Sequence, residues 1–418
     1  MTQSRSKQTR TFAMLLVAAA MITTTSGCSM FKKETAAPQA TTKNIPVRAI
    51  WVTRYDYKTA DDVRRIIDNC ARGGFNTVLF QVRGNGTVSY PSKLEPWAEQ
   101  FDYESPGYDP LALAIEEAHK RGMMLQAWVN VMPAWKGPNE PGIRNQLYFK
   151  HPEWFWYDRN GVRQPLNHSV GGKSRGWYVS LNPCLPEVRE YIVAVFHDLV
   201  ARYDIDGLHM DYIRFPNEPV VAGEKIPDYP RDPRTVELFR RATKQDPDQN
   251  PAAWKNWRTN QVNQLVADVY KMLKDTRPNA LLTAAVGSVP TRGLTHFQDG
   301  LRWMDDGIID HVYLMNYTDS VPKFAQRFSP WIMSKSDAKV VPGLGIREQL
   351  ETKHGAEIAV AQIDVAYNSV QNFAVFAYAS LFDSSNEKFT RQSDAEHQKR
   401  MIRQEHILPK IHSLAQKR

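Results

Sequence analysis

The stretch Asp206-Gly207-Leu208-His209-Met210-Asp211-Tyr212-Ile213-Arg214-Phe215-Pro216 reads as a β-strand running out into a polar loop. Side chains alternate along a strand, so Gly207, His209, Asp211 and Ile213 share one face. On either side, residues 186–203 and 254–276 place apolar side chains three or four apart, as helices do. The same alternation of short apolar or β-branched runs with longer amphipathic ones extends over most of the chain, which marks βα units and a parallel sheet. Eight strand-like runs fall at 47–53, 77–82, 124–131, 207–212, 281–286, 311–315, 340–345 and 373–379, enough to close a TIM-type (β/α)8 barrel of the α/β class. Helical patterns also cover 60–72 and 110–121, and Gly73-Gly74, Gly122 and Pro278 stand where helices should stop. The barrel is expected over residues 46–385. It exceeds the ~250 residues usual for such barrels, and the surplus lies in two insertions, 132–180 and 214–253, each following a strand.

In these barrels the βα loops at the C-terminal ends of the strands build the active site. The polar residues expected there are Arg54, Tyr55 and Asp56 after the first strand, Arg83 after the second and Asn130 on the third. His209, Asp211, Tyr212 and Arg214 cluster around the fourth, and Asp299, Asn316, Tyr317, Asp319, Glu348 and Asp383 follow the later ones. Burying a lone carboxylate costs several kcal/mol, so Asp211 is either paired by Arg214, His209 or Arg83, or held for reaction. Asp206, ahead of a glycine at the strand's start, reads as structural. Among eleven tryptophans, Trp97, Trp128, Trp135, Trp154, Trp156 and Trp177 lie at or after the second and third strands. Sugar rings stack on aromatic faces, and Trp154 and Trp156 flank Phe155 in a polar insertion where core packing is the weaker explanation.

At the N-terminus, Arg5, Lys7 and Arg10 precede 11 apolar residues from Phe12 to Ile22, then small residues. That is the pattern of a signal peptide over 1–27, too short for the roughly 20 residues of a membrane span. Thr25-Ser26-Gly27-Cys28 resembles a bacterial lipobox, so Cys28 is expected to carry lipid, with Ser29 favouring an outer-membrane anchor facing the periplasm. Residues 28–45 read as a flexible tether and 386–418 as a charged, partly helical extension. Loss of Arg5, Lys7 and Arg10 with the leader takes the net charge from +8 to +5, suited to an acidic partner such as anionic cell-wall glycan. The cations are scattered rather than striped, which argues against a nucleic-acid partner. Cys70 and Cys184 read as unpaired structural thiols.

The chain resembles the bacterial glycosyl-hydrolase-like family 10, formerly a domain of unknown function. The resemblance rests on Val82-Arg83, Tyr90-Pro91-Ser92-Lys93, Pro96-Trp97, Ala127-Trp128-Val129-Asn130, His151-Pro152-Glu153-Trp154, Leu181-Asn182-Pro183 and the fourth-strand motif. It implies a barrel glycosidase. The lipoprotein leader resembles that of members that cut peptidoglycan strands stripped of their peptides, and this implies such strands as substrate. Contacts to sugar are expected from the residues at and near the strand ends, Arg83, Trp128, Asn130, His209, Tyr212, Arg214, Asn316, Tyr317, Asp319 and Glu348. Gly207-Leu208-His209-Met210-Asp211 also resembles the α-amylase motif whose terminal aspartate is the nucleophile, which implies that role for Asp211. The chitinase motif ends in an acid where this chain has Ile213, so substrate-assisted catalysis is disfavoured, although Leu314-Met315-Asn316-Tyr317 with Asp319 is similar to a chitinase segment. Several relatives carry two adjacent acids on this strand, whereas the second place here is Tyr212.

Glycoside hydrolysis generally needs two carboxyl groups, and for the partner of Asp211 the expectation ranks Asp299 ahead of Glu348 and Asp319. No cofactor is expected. A metal hydrolase is disfavoured by the lack of a His-x-His on the first strand, of His-Glu-x-x-His and of an acid cluster. A noncatalytic carbohydrate-binding lipoprotein stays open as the rival reading.

Overall fold

The computed structural model describes residues 45–166, 178–215, 228–346, 352–384 and 393–417, together with the backbone of 169–170 and 173–174. The leader, the tether with Cys28, Trp177 and Glu348 lie outside the described residues. Residues from Pro46 to the C-terminus form one compact unit.

Eight parallel strands close a barrel: β1 Arg48–Val52, β2 Thr77–Arg83, β3 Met124–Asn130, β4 Gly207–Asp211, β5 Leu281–Gly287, β6 His311–Met315, β7 Lys339–Gly345 and β8 Phe373–Phe376. Each pairs with its sequence neighbour, and β8 closes on β1 through Arg48↔Phe373 and Ile50↔Val375. All eight expected strands are present, with ends moved by a residue or three. The longer outer helices are α1 Ala60–Arg72, α2 Pro110–Lys120, α3 Pro186–Arg202, α4 Pro233–Thr243, α5 Pro251–Thr276, α6 Gly300–Asp305, α7 Val321–Ile332, α8 Lys353–Val370 and α9 Asp394–Ala415. The start of α1 is set locally by a capping box in which Thr59 and Asp62 bind each other's backbone amides.

Two apolar cores follow from strand alternation. The larger lies between the strands and the helices, and a smaller one fills the barrel with Trp51, Leu79, Trp128, Tyr313 and Val341. Within the barrel runs a buried polar chain. Trp51 Nε1 donates to His209 Nε2 at 3.0 Å, and His209 Nδ1 lies 2.8 Å from Thr283 Oγ1. Thr283 donates to Gln126 Oε1 at 2.7 Å, and Gln126 Nε2 reaches the Tyr313 hydroxyl at 3.3 Å. Every side chain in this polar chain has a partner, as burial requires. Cys70 and Cys184 are buried free thiols.

The charged C-terminal segment differs from the expected extension, because α9 is an outer helix of the barrel. Ile407, Ile411 and Leu414 recur at helical spacing and are buried against the domain. Arg400 donates to the Ala379 carbonyl at 2.8 Å and pairs with Asp383 at 2.9 Å. The far end of α9 fits against Gly74, whose φ of +82° favours glycine and where a Cβ would stand 2.9 Å from the His412 ring.

The first insertion folds over the barrel mouth as an antiparallel ribbon of Pro133–Lys136 with Tyr178–Ser180. Trp156, read from sequence as a sugar platform, is instead core. It is 1% exposed, packs on Phe215 at 4.5 Å and donates to the Leu181 carbonyl.

Candidate active site

Asp211 is the last residue of β4, paired in register with Asn130 of β3. Its Oδ1 accepts hydrogen bonds from the Tyr212 amide at 2.6 Å and from Arg214 Nη1 at 3.2 Å. Tyr212 has a φ of +52°, costly for a bulky side chain and tolerated only where surrounding contacts impose it. The turn sets the Tyr212 ring edge-on to Tyr178 at 5.0 Å and under the Arg214 guanidinium at 4.4 Å.

Around Asp211 opens a cavity of about 240 Å³ at the C-terminal mouth of the barrel. Trp51, Trp128, Asn130 and Gln81 contribute from the strands, and Tyr55, Tyr178, Tyr212, Tyr317 and Phe376 supply aromatic walls. Tyr317 stacks on Phe376 at 5.3 Å, and Gly345 leaves the room it needs, since a Cβ there would meet the ring at 2.8 Å. Arg54 lines the cavity, bonded to the Tyr55 hydroxyl at 2.5 Å and to Tyr178 at 3.2 Å. Among the described residues, Asp211 is the cavity's one carboxylate. Trp128 Nε1 is buried without a hydrogen-bond partner.

A second cavity of about 340 Å³ adjoins the first and shares Arg214, Met315 and Tyr317 with it. It lies beside the loop after β5 and the helix α7.

Of the residues expected to contact sugar, Trp128, Asn130, Tyr212, Arg214 and Tyr317 gather with Asp211 around the cavity. Four others go elsewhere. Arg83 is corrected to an internal tie: it is 1% exposed, forms a two-pronged pair with Glu95 at 2.8 and 2.6 Å, and donates to the Asn130 and Val131 carbonyls. Its guanidinium joins the loop after β2 to the end of β3. His209 is corrected to a member of the buried barrel layer, one residue pair below Asp211, where burial pulls its pKa down to about 3. A neutral ring suits that place, because a second ring proton would face the Trp51 N–H donor. Asn316 is fully buried, donating to the Phe324 carbonyl at 2.8 Å, and Asp319 is exposed and lines neither cavity.

The expected second carboxylate is also corrected in position. Asp299 precedes α6 and lines neither cavity, whereas Gln298 beside it does line the second one. Gln298 is held by the Gly287 amide and the Ala285 carbonyl. Burial raises the pKa of the Asp299 carboxyl above its ordinary value, against the opposing Arg302 amide. Asp56 is engaged by Thr53, and Asp383 by Arg400 and His397. Among the described residues no group of three or more His, Cys, Asp or Glu side chains is placed to hold a metal ion.

Sequence reasoning passed over Trp51, Tyr178, Met315 and Phe376 in the first cavity and Arg292, His296 and Arg327 in the second. Phe376 and Met315 end strands, so the strand-end rule could have found them. Tyr178 comes from the far strand of a ribbon within the long insertion, and no periodic signal marks it.

Over 66% of the chain, the sequence is 28% identical to the glycosyl hydrolase DigH of Escherichia coli K12, and it aligns with 66% of that protein's length. It is 26% identical to the glycosyl hydrolase YngK of Bacillus subtilis, over 59% of this chain and 47% of that one. Among solved structures the PgaB (BpsB) glycoside hydrolase domain from Bordetella bronchiseptica superposes with a TM-score of 0.55 at 13% identity, covering 83% of this chain and all of that one. The β-amylase catalytic domain from Paenibacillus polymyxa does so with a TM-score of 0.53 at 8% identity, over 87% and 98%. The model of the family described as glycosyl hydrolase-like 10 matches residues 46–394, as the sequence motifs anticipated, and this chain belongs to that family.

Proposed function

We propose that the protein is a glycoside hydrolase of the cell envelope whose substrate is peptidoglycan glycan without stem peptides, and that Asp211 is its first catalytic carboxylate. The observation that carries this reading is the position of Asp211. It is the one acid among the described residues that lines an aromatic-walled cavity at the C-terminal mouth of the barrel. Its Oδ1 is tied to Arg214 and the Tyr212 amide, and Oδ2 takes no hydrogen bond from the described residues. A carboxylate so oriented can attack an anomeric carbon or draw a proton from water, while Tyr212, Tyr317 and Trp128 offer faces for sugar rings. A proton donor must join it. Asp299 lines neither cavity, so Glu348, the next acid in the ranking and three residues past the end of β7 in sequence, takes its place in this reading.

Export, lipid on Cys28 and an outer-membrane position facing the periplasm belong to the same proposal, supported by the N-terminal sequence. Among the described residues no helix is long and apolar enough to cross a membrane. One observation favours the rival, a binding protein without activity: no second carboxylate lines the cavity among the described residues. Incubating the lipid-free protein with amidase-treated sacculi, intact sacculi and chitin oligomers, and reading released fragments by mass spectrometry, decides between them. Peptide-free strands should be cut fastest. Binding without any released fragment would establish the rival.

A further inference from the structure

The second cavity brings three arginines together at the mouth of the barrel. Arg214 comes from the loop after β4, Arg292 from the loop after β5 and Arg327 from α7, so three separate connections deliver one guanidinium each. Like charges brought together repel unless an anion or solvent compensates them. Arg214 is paired with Asp211, which belongs to the neighbouring cavity, and among the described residues no Asp or Glu lines this one.

The walls are fixed by hydrogen bonds rather than left to side-chain mobility. Trp331 Nε1 donates to the Ser288 carbonyl at 2.9 Å, Gln298 holds the Gly287 amide at 2.8 Å, and the Phe215 amide holds the His296 carbonyl at 2.9 Å. Arg327 donates to the Tyr317 carbonyl at 3.2 Å, which sets its guanidinium beside the wall shared with the Asp211 cavity. The local field is visible at His296. Burial first, and then the charges of Arg214 and Arg292, pull its pKa down to about 4. At neutral pH the ring is uncharged and can donate or accept, while the arginines stay cationic.

We propose that this cavity is a subsite for a carboxylate-substituted sugar residue, bound next to the residue cleaved at Asp211 and held by Arg214, Arg292 and Arg327. The inference rests on the glycan-hydrolase reading above and adds what the enzyme recognises along the strand. Arginine forks match a carboxylate's two oxygens. Arg214, touching Asp211 and lining both cavities, couples occupancy of the subsite to the orientation of the catalytic acid. A neutral homopolymer of acetamido sugars offers these three charges hydrogen-bond acceptors but no anion.

The test uses a tetrasaccharide carrying free lactyl carboxylates and the same tetrasaccharide after coupling those carboxylates to methylamine. Calorimetry on the Asp211→Asn protein should show the free acid binding roughly tenfold tighter than the amide at low salt. That ratio should shrink at high salt and approach one in Arg292→Gln/Arg327→Gln. Arg292 is exposed at the rim, so Arg292→Gln alone keeps the measurement free of folding effects and should cut the ratio severalfold. Equal affinities for acid and amide, or a ratio untouched by both arginine substitutions, would overturn the subsite. Charge-dependent binding without strand cleavage by the unsubstituted enzyme would overturn the hydrolase reading and leave the subsite standing. Equal cleavage of free and amidated strands would do the reverse.

Discussion

Asp211 and Arg83 both lie at the mouth of one barrel, yet Asp211 lines the cavity while Arg83 is closed off in a buried pair with Glu95. Asp211→Asn keeps shape and one hydrogen-bond acceptor, so it should leave the unfolding midpoint nearly unchanged while turnover on peptide-free glycan falls about 10³-fold or more. Near-normal turnover in that protein would remove Asp211 from the chemistry. Arg83→Met strands Glu95, which is fully buried, and should cost about 3–5 kcal/mol in denaturant unfolding. A stable Arg83→Met protein with only a raised KM would return Arg83 to the substrate. His209 supplies a pH prediction whose sign follows from its depressed pKa of about 3. Below pH ~6.5 the unfolded chain takes a proton at this residue and the folded chain does not until near pH 3, so stability falls as acid is added. The slope from this group approaches about 1.4 kcal/mol per pH unit, and His209→Gln should flatten it in urea titrations between pH 6 and 4. An unchanged slope would show that the ring is not held neutral by burial.

At the scale of elements, α9 shows how a segment rich in charge can still belong to the core. Its buried face carries Glu396, Arg400 and Arg403, which are tied by hydrogen bonds and ion pairs, and then Ile407, Ile411 and Leu414, the apolar stripe that packs the helix on the domain beside α8. Truncating Ile411, which is fully buried, to alanine should destabilise the domain by about 2–5 kcal/mol, as measured by chemical denaturation. A loss below ~0.5 kcal/mol would mean that α9 is a loosely attached extension after all. The first insertion follows a different logic, since its side chains are placed by contacts with distant segments. The ribbon Pro133–Lys136 with Tyr178–Ser180 positions Tyr178 against Tyr212, a contact between segments that are distant in the chain.

Over the whole molecule, the βα succession is legible in the amino-acid sequence because it is written in local periods. A strand needs only a few alternating or apolar residues, a helix only a stripe at three or four, and Gly73-Gly74 or Pro278 can end a helix by its own backbone chemistry. The period of two likewise carries Asp211 to the inner face at the end of β4, and the strand-end rule brings Trp128, Asn130, Arg214 and Tyr317 to the cavity with it. Closure of the barrel decides the rest, because it joins loops separated by hundreds of residues and no local pattern records which side chain turns inward. It sends Arg83 into a pair with Glu95, places His209 one layer down beside Trp51, and gives the second cavity Gln298 rather than Asp299. It also draws Arg214, Arg292 and Arg327 around a single space, where electrostatic free energy depends on three-dimensional separation and not on position along the chain.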